Sequence, residues 1–283
     1  MISVKHIMAG QPISVTSDDS VRRVIGLMEQ FRIGGLPVLD NQQLVGIITS
    51  RDVRRSHPNR LVADSMSTKV VTIEPHFSLW QAKKLMDDHG VERLVVMEAG
   101  AMAGLVTKTD LISELGKHVD ALTGLYRSGY LNHKALELLD NGQEMVVIFL
   151  DLNHFGKIDK DFGHVIGDEI LRQTGQVLKD LMENNRDYLC RYGGDEFAVV
   201  TSKPWEEAKK LAQEMIDALV SQAWPQNIEV TGTVGMAGGR LGPDASDRNK
   251  ICAVSTLINQ ASLTSTRAKK EGLPLGEAGW LEL

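Results

Sequence analysis

The strongest constraint on this chain is an ungapped internal repeat. Residues 58 apart correspond: Met8 with Met66, Val15 with Ile73, Val21 with Leu79, Leu27 with Leu85, Leu36 with Leu94, Gly46 with Gly104, Thr49 with Thr107 and Asp52 with Asp110. A period of this length marks one supersecondary unit used twice, with each copy too small to bury a core by itself. The two copies must therefore pack on each other.

Each copy carries the same order of signals. A short β-like run (Ile13 to Val15; Val70 to Ile73) leads into Ser17-Asp18-Asp19-Ser20 or Glu74-Pro75-His76-Phe77-Ser78, both suited to starting a helix. Val21, Val24, Ile25 and Met28, echoed by Leu79, Ala82, Leu85 and Met86, then fall at helical spacing. Two apolar strands follow, over 35–39 and 44–48 in the first copy and 93–97 and 102–106 in the second. The unit reads β-α-β-β-α.

This pattern resembles the cystathionine-β-synthase (CBS) domain, which occurs in tandem pairs. The resemblance rests on Gly-Ile-Ile-Thr-Ser-Arg-Asp at 46–52 and Gly-Leu-Val-Thr-Lys-Thr-Asp at 104–110. It implies that Thr49 with Asp52, and Thr107 with Asp110, hold an adenosine nucleotide or other adenosyl-type regulatory ligand, the Asp on ribose hydroxyls and the Thr with the helix start facing phosphate. Thr and Asp at a helix start are also the residues that cap a helix, so a purely structural role stands beside the ligand role.

Length and composition bound the remainder. At 283 residues the chain is about twice a 150-residue domain. A formal charge of −6, with 42% apolar and 24% charged residues, excludes a disordered chain and one that wraps nucleic acid by charge alone. Cys190 and Cys252 are too few for a disulfide framework. No segment offers the roughly 20 apolar residues of a membrane span, and the start of the chain lacks an apolar signal core, so the expectation is a cytoplasmic protein with no nucleic-acid or membrane partner. Residues 1–118 hold 14 basic and 13 acidic residues, leaving 17 and 24 for the second half. That acidic half is where a metal ion is expected.

There, Asp120-Ala121-Leu122-Thr123-Gly124-Leu125 predicts the opening of a helix running to about Leu139, and Met145 to Leu150 predicts a buried strand ending at Asp151. Two further strands flank Gly193-Gly194-Asp195-Glu196, which reads as a hairpin tip whose glycines supply a positive φ. Carboxylates from two strand ends are what a hard divalent ion requires, with substrate phosphates and water completing its shell. Taken alone, Gly-Gly-Asp-Glu is equally an ordinary acidic turn.

Five motifs in order, Asp-Ala-Leu-Thr-Gly-Leu at 120–125, Phe-Leu-Asp-Leu-Asn-His-Phe at 149–155, Phe-Gly-His-Val-Ile-Gly-Asp-Glu at 162–169, Arg-Tyr-Gly-Gly-Asp-Glu-Phe at 191–197 and Val-Thr-Gly-Thr-Val-Gly at 230–235, resemble the GGDEF domain of diguanylate cyclases. The resemblance implies condensation of two GTP into cyclic di-GMP by a homodimer joined through its CBS and GGDEF domains. Position by position it implies that Asp151, the Leu152 carbonyl and Asp195 hold Mg²⁺ or Mn²⁺. Glu196 would assist at the metal or as a base, making Asp151, Asp195 and Glu196 the catalytic set. Phe155, Asp159, Asp168, Gly193, Gly194 and Lys269 would contact the substrate, Asp168 on the guanine edge and Lys269 on phosphate. The implied fold is α/β (α+β): tandem CBS βαββα repeats over 1–60 and 61–117, then a nucleotidyl-cyclase-like GGDEF domain over 118–283 with a central, mostly antiparallel sheet.

Several substrate positions depart from that family's pattern. Asp159 stands where an Asn donor is usual, Gly156 where a Lys is usual, and Leu273 where a phosphate-binding Arg is usual. Losing one such hydrogen bond costs about 1 to 3 kcal/mol. In the family's product-inhibition motif Asp187 is present, but Asn184 replaces the leading Arg, so ordinary product feedback is not expected. The alternative function is a degenerate GGDEF domain that serves as a GTP or nucleotide receptor, or a scaffold, beside a ligand-sensing CBS pair. In either case a helix from Leu111 to Leu139 is expected to couple the halves.

Overall fold

The computed structural model describes residues 3–241 and 245–282, and the chain divides into two compact units, Met1–Gly116 and Lys117–Leu283. Among the described residues, no helix is long and apolar enough to cross a membrane.

The first unit contains β1 (Ala9–Gly10), α1 (Val21–Phe31), β2 (Gly35–Asp40), β3 (Gln43–Thr49), α2 (Ser50–Arg55), β4 (Thr72–Ile73), α3 (Leu79–His89), β5 (Arg93–Glu98), β6 (Ala101–Thr107) and α4 (Lys108–Gly116). Both long helices are specified locally and by the same device. Ser20 caps α1 by accepting from the Arg23 amide, and Ser78 caps α3 by accepting from the Gln81 amide. Both close on a left-handed residue, Arg32 in the first copy and Gly90 in the second.

The two copies interlock by exchange. β1 pairs with β6 of the second copy through Gly10 and Gly104, while Ser67 bridges back to Ile47 on β3 of the first copy. Met8 lies over Gly104 and its repeat partner Met66 lies over Gly46, so closely that a Cβ at either glycine would stand within 3.0 Å of the methionine sulfur. Each copy thus supplies the methionine that covers the other's sheet. Val21, Val24, Leu36, Val38 and Ile48 of the first copy share one buried core with Val62 of the second.

The second unit contains β7 (Tyr126–Arg127), α5 (Ser128–Asp140), β8 (Met145–Leu152), α6 (Phe155–Phe162), α7 (His164–Asp180), β9 (Asp187–Gly193), β10 (Glu196–Thr201), α8 (Trp205–Ser221), β11 (Gly232–Arg240), α9 (Asp247–Glu271) and β12 (Leu275–Glu282). Its sheet has the order β12-β11-β8-β10-β9-β7. The three inner pairings are antiparallel, and the outer strands β12 and β7 join in parallel. The sheet is covered on both faces. On central β8, Val146, Ile148, Leu150 and Leu152 join the core that includes α7 and α8, whereas Met145, Val147 and Phe149 join the core that includes α5 and α9. A strand buried on both sides reads as a continuous apolar run, and this one ends at Asp151 and Leu152.

The expected helix over 120–139 is corrected: α5 begins at Ser128, and residues 120–125 form a turn. Asp120 organises it, its Oδ1 accepting from the Thr123 amide at 3.0 Å, the Thr123 hydroxyl at 2.8 Å and Arg191 at 2.9 Å. Asp-x-x-Thr resembles a helix start because it makes the same local side-chain bonds. Gly124, at φ +70°, turns the chain out of the helix, and a guanidinium 71 residues away braces the turn. The expected helix from Leu111 to Leu139 is likewise two helices, α4 ending at Gly116 and α5 opening at Ser128.

Candidate functional site

The carboxylates meet where β8 and β10 end side by side. Glu196 lies directly opposite Asp151 in the β8–β10 register, and the Leu152 amide donates to the Asp195 carbonyl at 3.2 Å. On the other flank Thr233 of β11 lies opposite Asp151. Asn153 ties this edge together: its Oδ1 accepts from the Thr233 hydroxyl at 2.9 Å, and its Nδ2 donates to the Thr231 hydroxyl at 3.1 Å.

The hairpin is built differently from its sequence expectation. Neither Gly193 nor Gly194 has a positive φ. A register shift between Glu196 and Phe197 leaves Tyr192 unpaired. A bulge of this kind takes up strand twist and re-aims neighbouring side chains, so the primed turn that would need a left-handed glycine is not used. A Cβ at Gly193 would lie 3.2 Å from Glu196 Oε2, a close approach to the tip of that side chain, and the face of Gly194 is open.

Arg191 holds the tip. Its Nε and Nη2 donate to the Gly194 carbonyl at 2.9 and 2.6 Å, and its Nη1 donates to Asp120. Arg191 and Asn153 have no expected role in the sequence motifs, and Asp120 is expected there only as a helix start. The signal was present only in part: Asp120-x-x-Thr123 is a side-chain turn motif, but nothing in the order of residues says that Arg191 completes it.

The acids are left under electrostatic pressure. Burial, then the Asp151 carboxylate, pushes the Glu196 carboxyl above its ordinary range. Asp195 is also raised, by burial first and by Asp151, against its own backbone hydrogen bond and the pull of Lys269 and Arg191. Lys269, near the end of α9, donates from Nζ to Asp151 Oδ1 and to the Leu152 carbonyl, the latter at 3.1 Å. All candidate ion ligands are hard oxygens, which suits Mg²⁺ or Mn²⁺. Among the described residues no three His, Cys, Asp or Glu side chains converge as a finished cage. The residues fit an ion that completes its shell with phosphate and water.

The remaining expected substrate residues lie on α6 and α7. Phe155 is half-buried at the start of α6, and Asp168 is exposed on the second turn of α7. Asp159 is engaged within the protein: its Oδ2 is 3.1 Å from His164 Nδ1, and its Oδ1 lies so close to Gly167 that a Cβ there would be 1.8 Å away. It clasps α6 to α7. Asp187 also points inward, accepting from Thr201 at 2.6 Å, Lys203 at 2.7 Å and the Glu183 amide at 2.8 Å.

In the first unit, Thr49 and Asp52 line a cavity of about 530 Å³ together with Arg51, Arg54, Lys69 and Arg93. Both Thr-Asp pairs also act as caps. The Thr49 hydroxyl and amide donate to Asp52 Oδ2 at 2.6 and 2.8 Å, and the Thr107 hydroxyl donates to Asp110 at 2.5 Å.

This fold and site define a nucleotidyl-cyclase-like α/β domain that follows a tandem βαββα pair. The family description "Diguanylate cyclase, GGDEF domain" matches residues 117–273, and "CBS domain" matches 4–58 and 62–117. The chain belongs to the GGDEF family and carries a tandem CBS pair ahead of that domain. It is 32% identical over 117 residues to the CBS domain-containing protein YhcV of Bacillus subtilis, covering 39% of this chain and 84% of that one. It is 38% identical over 107 residues to an inosine-5'-monophosphate dehydrogenase of Nitrosopumilus maritimus, covering 37% of this chain but only 22% of that enzyme. Among solved structures, the coiled coil and GGDEF domain of DgcB from Caulobacter crescentus in complex with c-di-GMP is similar in fold, with a TM-score of 0.51, 19% identity, and coverage of 60% of this chain and 91% of that one.

Proposed function

We propose that the protein is a diguanylate cyclase that converts two GTP into cyclic di-GMP and two pyrophosphates. The observation that carries this reading is the juxtaposition of Asp151, Asp195 and Glu196 at adjoining strand ends, under mutual repulsion that a divalent cation relieves. Mg²⁺ or Mn²⁺ held by Asp151, Asp195 and the Leu152 carbonyl would offset phosphate charge and favour pyrophosphate departure.

The chain's own groups do the rest. Gly194, with no side chain and open space above it, admits phosphate close to the backbone, and Arg191 keeps that backbone in place. Glu196, which lies opposite Asp151 across the β8–β10 register, is placed to receive the proton from the 3′-hydroxyl as the new O3′–phosphorus bond forms and pyrophosphate leaves. Asp168 accepts from the guanine N–H edge. One such site holds one GTP, so two subunits must face each other, and the active form is a homodimer.

In the same proposal the first segment, 1–60 with 61–117, senses a ligand for the GGDEF segment 118–283. The cavity at Thr49 and Asp52 suits an adenosine nucleotide, since Arg51, Arg54, Lys69 and Arg93 bring cations for phosphate. Asp187, fully occupied by internal donors, supports the absence of ordinary product feedback.

The deciding experiment incubates the purified chain with GTP and Mg²⁺, with and without AMP or ATP, and assays cyclic di-GMP, with Asp195→Ala as control. Product that depends on Asp195 supports the cyclase. The second reading, a nucleotide receptor, is favoured by Asp159 being spent on His164. It would be upheld by GTP binding with no product under any condition.

A further inference from the structure

The amine of Lys269 sits on two of the oxygens that the proposed function assigns to the ion. Its Nζ donates both to Asp151 Oδ1 and to the main-chain carbonyl of Leu152. One of these oxygens is a carboxylate and the other a backbone carbonyl, a pairing that a hard cation seeks and that a lysine ammonium can imitate with two of its three donors.

The placement of the lysine backbone is rigid. α9 lies directly on β11: a Cβ at Gly235 would stand 2.1 Å from the Ala261 carbonyl oxygen and 2.2 Å from the Ser265 amide nitrogen. The buried Ser265 hydroxyl donates to the Thr233 carbonyl at 2.9 Å, one residue from Val234 on the same strand. Ala268, adjacent to Lys269, is buried. The helix therefore cannot withdraw the lysine as a body. The four-carbon stem can swing, because the side chain is about a third exposed, at 34%.

We propose that Lys269 is an internal counter-cation that occupies the ion's ligands until nucleotide arrives. This inference rests on the metal reading above. An ammonium and a divalent ion cannot share Asp151 Oδ1 and the Leu152 carbonyl, so ion entry expels the lysine. The expelled ammonium then needs an anion within reach, and a triphosphate lying over Gly194 supplies one. Ion and nucleotide consequently bind with positive coupling: each raises the affinity of the other, by the same factor in both directions. Without nucleotide the site resists the ion, and the three acids keep one positive partner at all times.

The test measures Mn²⁺ binding to the full chain by the loss of the free-ion electron paramagnetic resonance signal, with and without guanosine 5′-(α,β-methylene)triphosphate, after subtracting the loss that the same analogue causes without protein. Lys269→Met keeps the length of the stem and removes the charge. Without nucleotide it is expected to bind Mn²⁺ about tenfold more tightly than the unaltered chain, the low end for losing a charge-assisted competitor. With the analogue bound, that advantage should shrink or reverse. Lys269→Gln and thermal melting of both variants guard against a folding defect, and Asp151→Asn should abolish the Mn²⁺ signal change. Equal or weaker Mn²⁺ binding by folded Lys269→Met, with binding seen in both chains, overturns the counter-cation while leaving the metal site. No Mn²⁺ binding by any chain, with or without analogue, overturns both.

Discussion

The acids of the two halves differ in who holds them. In the CBS pair, Asp52 and Asp110 are bound by threonines three residues earlier, within the same turn. In the GGDEF half, Asp151 and Glu196 are brought face to face by strand register, and their cationic partner lies 118 residues from Asp151. Acids satisfied by their neighbours are at rest and serve first to stabilise a helix start. Acids assembled from distant strands repel one another except where Lys269 offsets them, and clusters held in this way are typical of functional sites.

Breaking the second arrangement should have the largest effect. Under the cyclase reading, Asp195→Ala is expected to lower cyclic di-GMP formation by about a thousandfold, several kcal/mol of lost electrostatic stabilisation, with an unchanged melting profile. A variant with near-normal turnover would remove Asp195 from the reaction. Next in size is the contact that brings α9 and its lysine onto the sheet. Gly235→Ala, whose Cβ would overlap helix backbone, should destabilise the GGDEF unit by about 3 kcal/mol in denaturant titration.

The Arg191–Asp120 pair falls between the two kinds, since a local turn and a distant guanidinium share one carboxylate. Asp120→Ala should cost about 2 to 3 kcal/mol, because it strands a largely buried guanidinium. Its pH signature has a definite sign. Burial works to raise the Asp120 pKa, but the Arg191 hydrogen bond and the Thr123 donors outweigh it and hold the carboxyl below its ordinary 3.8. A carboxyl lowered by folding contributes stability that is complete above the unfolded value and is lost as pH falls through the folded one. Asp120→Asn should therefore flatten the fall of stability below about pH 4.

The smallest effects belong to the locally satisfied acids. Thr49→Ala and Thr107→Ala should each cost about 1 kcal/mol, the usual value of a cap. They sharpen the comparison through a second readout. If the cavity at Thr49 takes an adenosine nucleotide, Thr49→Ala also diminishes the rise in melting temperature on adding ATP. An undiminished ATP shift would leave Thr49 as a cap alone.

Legibility in the sequence followed the range of the interaction. The repeat, the capped helices α1 and α3 and the strand ending at Asp151 were all readable, because periodicity and capping act within a few residues. The segment at 120–125 misled for the same reason. Its first bonds are those of a helix start, but the left-handed Gly124 closes it as a turn, which Arg191 then braces. Gly193 and Gly194 resemble a primed hairpin in sequence, whereas the bulge at Tyr192 takes up the twist and neither glycine has a positive φ. The sequence motif places Asp159 among the substrate residues, and its further bond to His164 is set by the packing of α6 on α7.

The amino-acid order by itself determined that two equivalent units precede a nucleotidyl-cyclase-like domain and which acids stand at its strand ends, since these depend on hydrophobic period and on residue identity. Tertiary structure alone decided that Met8 and Met66 exchange between copies, that Arg191 fastens the hairpin to the 120–125 turn, and that Lys269 lies on Asp151 and Leu152. Each of these joins residues whose separation along the chain carries no information about their distance in space. Only the register of the sheet and the packing of helices upon it set that distance.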